Sequence, residues 1–87
     1  MNEADLIAKA RTGDADAFGV LVDRYRDRIF RLVYGLLRDA DEAEDVAQEV
    51  FVKAYFGLAR FEGRSTFKSW VQRIKLNHCL NHLRKQN

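Results

Sequence analysis

No proline interrupts the 87 residues, and the chain holds one cysteine, one tryptophan, one methionine and five glycines. Each scarcity excludes something. With 47 % hydrophobic residues and no proline, the composition favours a compact all-helical unit over a sandwich or barrel. The lone Cys79 cannot close an internal disulfide and fits a reducing compartment. There is no apolar run long enough to span a bilayer, and Met1–Arg11 alternates charged and apolar residues. Neither a signal peptide nor a membrane partner is expected, and the expected location is the cytoplasm. A Gly-rich phosphate loop and an H-E-x-x-H pair are both missing. The length suits one domain, residues 1–87, and no repeat, linker or low-complexity segment divides it.

Charge is present but unevenly placed. Residues 1–59 hold 8 Lys and Arg against 12 Asp and Glu, whereas residues 60–87 hold 7 against 1. An acidic front and a basic tail suggest two partners of opposite charge.

The periodicity predicts about four helices. The first covers 3–11, with Leu6, Ile7 and Ala10 inward, Asn2 as N-cap and Gly13 at its C-terminal turn. Asp14 caps a long second helix, about 15–38, whose apolar line runs through Phe18, Leu21, Val22, Tyr25, Ile29, Leu32, Val33 and Leu36. A second strip, Phe30, Tyr34 and Leu37, implies neighbours on more than one side. Asp23 and Asp27, among Arg24, Arg26, Arg28 and Arg31, read as a solvated face with near-neighbour ion pairs.

The third helix, about 41–58, is expected to start at Asp41, with Glu44 completing a capping box. Ala43, Ala47, Val50, Phe51, Ala54 and Leu58 form its core stripe. Asp45, Gln48, Glu49, Val52 and Phe56 line the opposite side, where folding alone gives no reason to expose a Phe. That side reads as a docking surface for another macromolecule. Residues 59–66 form a loop with Phe61 tucked inward, Gly63 supplying a turn and Ser65 capping the next helix.

The fourth helix, about 66–85, changes face midway. Phe67, Trp70, Val71 and Ile74 share one stripe; Leu76, Cys79, Leu80 and Leu83 share another, roughly half a turn away. Either the helix is contacted on two sides or it bends between Lys75 and Asn77. Continuing the first stripe reaches Lys75, His78, Asn81 and His82.

His78 and His82 share a helix face and could hold Zn²⁺, but Cys79 points about 100° away and no other Cys or His exists to complete a site. Adjacent helical residues do not face each other, so a Cys–His nucleophilic pair is disfavoured too. No catalytic residue, metal or cofactor is expected. Nucleic acid has better support. Arg60, Arg64, Lys68, Arg73, Lys75, Arg84 and Lys85 can neutralise phosphates, and Phe61, Phe67 and Trp70 offer ring faces for unpaired bases or for the core. Asn77, one turn beyond Arg73, suits either a base edge or a local hydrogen bond.

Three blocks in order, DAFGVLVDRYRDRIFRLVYGLLRD, DEAEDVAQEVFVKAY and RFEGRSTFKSWVQRI-x-x-N-x-x-x-N-x-L-R, resemble region 2 of bacterial sigma-70-family sigma factors, above all the extracytoplasmic-function (ECF) group. The resemblance covers nearly the whole chain. It implies a compact all-α bundle that acts in transcription initiation as a DNA-binding factor. Its third helix would dock on the β′ clamp helices of the RNA polymerase core through Asp45, Gln48 and Glu49, with Val52, Lys53 and Phe56 beside them. Its loop and fourth helix would recognise the promoter −10 element and hold the non-template strand. By the resemblance Glu62, Arg64, Ser65, Thr66, Lys68, Arg73 and Asn77 carry that role, and Arg60, Trp70 and Arg84 join them as DNA-binding candidates from the basic and aromatic character of the segment. An anti-sigma factor is a further implied partner, and an interaction module that binds only such a regulator is the alternative reading. Three positions depart from the family pattern. Val71 stands where primary sigma factors have the second Trp of a pair, Lys75 where a small residue is usual, and His78 where an apolar one is common. Nothing in the chain corresponds to region 4, so a domain of a longer protein is expected.

Overall fold

The structure, a computed structural model, describes residues 2–86, with side chains through Lys85. Four helices, α1 (Glu3–Arg11), α2 (Ala15–Leu37), α3 (Ala40–Gly57) and α4 (Phe67–Gln86), are joined by short segments, with a single 3-10 turn at Leu58–Arg60. The fold is the expected all-α bundle. α2 packs against all three other helices, and α4 lies across α2 and α3.

Local chemistry sets the boundaries. The Asn2 side chain accepts from the Asp5 amide at 2.9 Å and opens α1. Gly13, at φ +99°, closes it, because the Gly13 and Asp14 amides reach back to the carbonyls of Ala10 and Lys9. This left-handed closure satisfies carbonyls that the helix end leaves open. Asp14 accepts from the Ala17 amide at 3.1 Å and starts α2. α2 stops at Arg38, a left-handed residue at φ 59° whose amide bonds to Tyr34 O.

The start of α3 corrects the expectation of Asp41. Asp39 is extended and accepts from the Glu42 amide at 3.0 Å, so the helix begins at Ala40. The stretch D-A-D-E-A-E contains two overlapping D-x-x-E patterns, and the earlier one caps. Ser65 is likewise not the cap of α4; Thr66 Oγ1 accepts from the Ser69 amide at 3.1 Å.

The core forms where α2 and α3 meet, through Leu21, Ile29 and Val33 against Val46, Val50 and Ala54. All six residues of the expected α3 stripe are buried, with Val46 added. In the C-terminal half of α2 the buried line turns toward Ile29 and Val33, leaving Leu32 and Leu36 exposed rather than inward. Phe30 and Leu37 of the second strip are partly covered, whereas Tyr34 is exposed.

α4 runs as one continuous helix from Phe67 to Gln86 and packs on both α2 and α3. Phe67, Val71 and Cys79 are buried, but Leu76 and Leu80 stand 47 % and 45 % exposed. The second apolar stripe therefore does not pack as a unit. Instead, the first stripe continues through His78 and His82, which turn toward carboxylates of α3. Polar contacts replace apolar ones there. None of the described helices is long and apolar enough to cross a membrane.

Candidate docking and nucleic-acid interfaces

Two surfaces carry the residues singled out in the sequence. The first is the outward side of α3. Asp45, Gln48, Glu49, Val52, Lys53 and Phe56 are all exposed. Phe56 is 77 % exposed and Val52 54 %, although the core face of the same helix is filled. Phe56 touches the Tyr55 ring edge-on, at 5.5 Å between centroids. Beside it lies a shallow apolar groove between α2 and α3, floored by Phe18, Gly19 and Phe51. Single exposed apolar residues are ordinary; a Phe beside an apolar groove is the shape of a docking face.

The second surface is a cleft between the 60–65 loop and the first half of α4. It is held open by an aromatic cluster built from buried residues. Phe61 and Phe67 are buried, and the Trp70 ring packs at 5.1 Å from Phe61 and 6.0 Å from Phe67. Tyr25 of α2 meets Phe67 at 5.7 Å, which anchors the group to the bundle. Because Phe61 is pinned, the residues around it are fixed as well. Arg60, Glu62, Arg64, Ser65, Arg73 and Asn77 line the cleft, with a part-buried Trp70 at its base. Arg73 Nη2 donates to Ser65 Oγ at 3.0 Å and ties the helix to the loop. Arg64 Nε and Glu62 Oε2 pair at 3.0 Å in the open, which is worth little energy but orients the guanidinium.

The structure thus gathers seven of the ten expected nucleic-acid residues in one cleft, and three lie elsewhere. Thr66 is used as a helix cap and borders a groove on the α1 side. Lys68 is exposed on the first turn of α4 outside the cleft. Arg84 lies about two turns beyond Asn77 on α4, in a neighbouring cleft with Glu49 and Lys53. Lys53, exposed on α3 with the expected docking residues, also lines one cavity with Arg60, Trp70 and Asn77.

Two contacts were not read from sequence at all. His78 Nε2 lies 2.5 Å from Glu49 Oε2, and His82 Nε2 lies 3.9 Å from Glu42 Oε2. The signal existed: histidines four apart on α4 face glutamates seven apart on α3. Only the helix pairing reveals that they meet. His78 Nδ1 is buried with no hydrogen-bond partner among the described residues. Nε2 is therefore the ring nitrogen through which His78 meets α3.

Comparison with known proteins agrees with this geometry. The family model described as Sigma-70 region 2 matches residues 21–87. The chain is 43 % identical over 81 residues to the RNA polymerase sigma-H factor of Pseudomonas aeruginosa, covering 93 % of this chain and 42 % of that protein. It is 40 % identical over 80 residues to the ECF RNA polymerase sigma factor SigW of Bacillus subtilis, covering 92 % and 43 %. It therefore spans less than half the length of these curated relatives. A solved NMR structure of an engineered region 2 of sigmaE in complex with GTAAAA superposes with a TM-score of 0.91 at 34 % identity, over 99 % of this chain and 90 % of that one. The helices, the cleft on α4 and the sequence identities converge, and the chain belongs to the sigma-70 region 2 family, with ECF sigma factors among its relatives.

Proposed function

We propose that residues 1–87 form one region 2 unit that bridges RNA polymerase and single-stranded promoter DNA. The outward side of α3 docks on the β′ clamp helices of the polymerase core, with Phe56 and Val52 as apolar contacts and Asp45, Gln48 and Glu49 as charged and polar ones. The cleft on α4 holds the non-template strand of the −10 element. The observation that carries this reading is the cleft, where three arginines and Asn77 surround a part-buried Trp70. Arginines there meet phosphates, the Trp70 ring stacks on an unpaired base, and Asn77 reaches a base edge. Opening duplex DNA costs a few kcal/mol per unstacked base, which such contacts offset. The complex of the engineered sigmaE region 2 with GTAAAA supports the same ligand class for this chain. All of this takes place in the cytoplasm.

The test is binding to a β′ clamp-helix fragment, followed by titration with a −10 non-template oligonucleotide and a scrambled control. Trp70 is the only tryptophan, so its fluorescence reports the cleft directly. Clamp binding with sequence preference and a Trp70 response is expected; binding to neither partner refutes the reading. A second surface has its own observation. Leu76 and Leu80 are exposed one turn apart on α4, which favours an additional contact with a regulator of the anti-sigma kind. Leu80→Glu should weaken that contact while leaving oligonucleotide binding intact.

A further inference from the structure

The clefts along α3 and α4 are not separate. The nucleic-acid cleft shares Arg60, Trp70 and Asn77 with the next cavity, which in turn shares Lys53 and His78 with a third of about 500 Å³. One continuous groove therefore runs from the 60–65 loop to the C-terminal half of α4. Its far section is lined by Lys53 from α3 and by Asn81, Arg84 and Lys85 from α4, together with the two histidines. Lys53, Arg84 and Lys85 have no carboxylate partner among the described residues. The one carboxylate lining this section is Glu49, held on His78.

We propose that this far section is a phosphodiester subsite, and that Glu49 occupies it in the free domain as an internal stand-in for phosphate. The proposal rests on the nucleic-acid reading above and extends it to a site that the expected residues did not define. Three features point to an anionic ligand. The lining holds three cations, Lys53, Arg84 and Lys85, against the one carboxylate of Glu49. One oxyanion contact on His78 is already present, with Glu49 Oε2 on Nε2 where a phosphate oxygen would sit. The section continues a groove whose near end carries the strand-binding residues, and successive phosphates of an extended strand follow such a groove. Glu49 is 58 % exposed along its side chain, so it can swing out to solvent or to a cationic partner. Its departure leaves Nε2 of His78 and the ammonium of Lys53 facing the strand.

The experiment uses the 87-residue chain and a fluorescent GTAAAA oligonucleotide, with anisotropy measured across a salt series. Glu49→Gln should bind about threefold tighter or more, the effect of removing one like charge several ångströms from a phosphate. Lys53→Gln should bind several-fold weaker, and its slope of log K against log salt should fall by about 0.7, one phosphate contact on single-stranded nucleic acid. Glu44→Gln, an exposed carboxylate on the same helix that lines none of these cavities, controls for net charge and should change little. The subsite is overturned if Glu44→Gln matches Glu49→Gln, or if Lys53→Gln keeps the full salt slope. An absence of saturable binding by the unaltered chain would instead overturn the nucleic-acid reading, and the subsite with it. Circular dichroism of each variant shows whether the helices are intact.

Discussion

Phe51 and Phe56 sit five residues apart on α3, one 7 % exposed and the other 77 % exposed. Replacing each with alanine separates folding from docking. At Phe51 the ring is lost from the α2–α3 core, and Phe→Ala in such a place costs about 3–5 kcal/mol. A chain of this size has a total stability on the order of 5–10 kcal/mol, so Phe51→Ala should move the urea midpoint far down. At Phe56 only about a quarter of the residue's surface is covered, and its ring meets Tyr55 edge-on. A whole Phe buries roughly 200 Å², so the covered part amounts to about 50 Å², or about 1 kcal/mol at most. If Phe56 anchors the docking face, its loss should weaken binding to the β′ clamp-helix fragment by about tenfold or more, the usual scale of an aromatic anchor. The two assays are urea unfolding followed by circular dichroism, and calorimetric titration with the fragment. The reasoning fails if Phe56→Ala unfolds as easily as Phe51→Ala, or if it leaves fragment binding within twofold of the original.

Other perturbations probe separate parts of the structure. Asp39→Ala removes the α3 cap and should cost about 1 kcal/mol, whereas Asp41→Ala should cost less; equal losses in thermal melts would return the cap to Asp41. The Tyr25 phenol is pushed up from 10.0 to about 12, first by burial and then by its hydrogen bond to Glu3. A raised value in the fold means that this contribution is complete below pH 10 and is lost as the pH climbs through 12. Tyr25→Phe should therefore show a flatter alkaline unfolding curve by ellipticity, and an identical curve would contradict it. The Cys79 thiol, fully buried, is pushed up by burial, with Lys75 pulling the other way. Its modification by an aromatic disulfide reagent should follow the unfolding rate, and fast labelling of the folded chain would show the packing to be wrong.

Much of this architecture was legible because most of it is periodic. The α3 stripe is apolar at every inward position, so one face of a helix could be read without knowing its neighbour. The caps were legible to within two residues, since D-A-D-E-A-E offers two equivalent starts and only the approach of the chain from Arg38 selects Asp39. α2 was harder. Leu32 and Leu36 keep the period of the core line, yet α3 and α4 cover the helix from directions that a single-helix projection does not contain. The same limit explains the site. The aromatic and basic residues near Trp70 are close in sequence, so the cleft could be anticipated. Lys53 and Arg84 are far apart in sequence and meet only when α4 crosses α3.

The histidines show why α4 changes character. Its first half carries Phe67, Trp70 and Val71, enough apolar surface to fix the helix on the bundle. Its second half has only Cys79 fully buried, with Leu83 partly covered and Leu76 and Leu80 exposed. An apolar residue at position 78 would pack against α3 without reaching for a charge. With His78 there, the helix that carries the cleft is connected to a carboxylate on the outward side of α3. Any partner that draws Glu49 outward must break that contact, and any strand that enters the groove must compete with it. Under the proposed function, the two faces would be coupled through one side chain. Reciprocity follows, because a ligand favouring the outward position of Glu49 at one face lowers the cost of that position for the ligand at the other. His78→Leu should remove the competition, so that clamp fragment and oligonucleotide bind independently. If the two ligands help one another as strongly in His78→Leu as in the unaltered chain, the connection lies elsewhere.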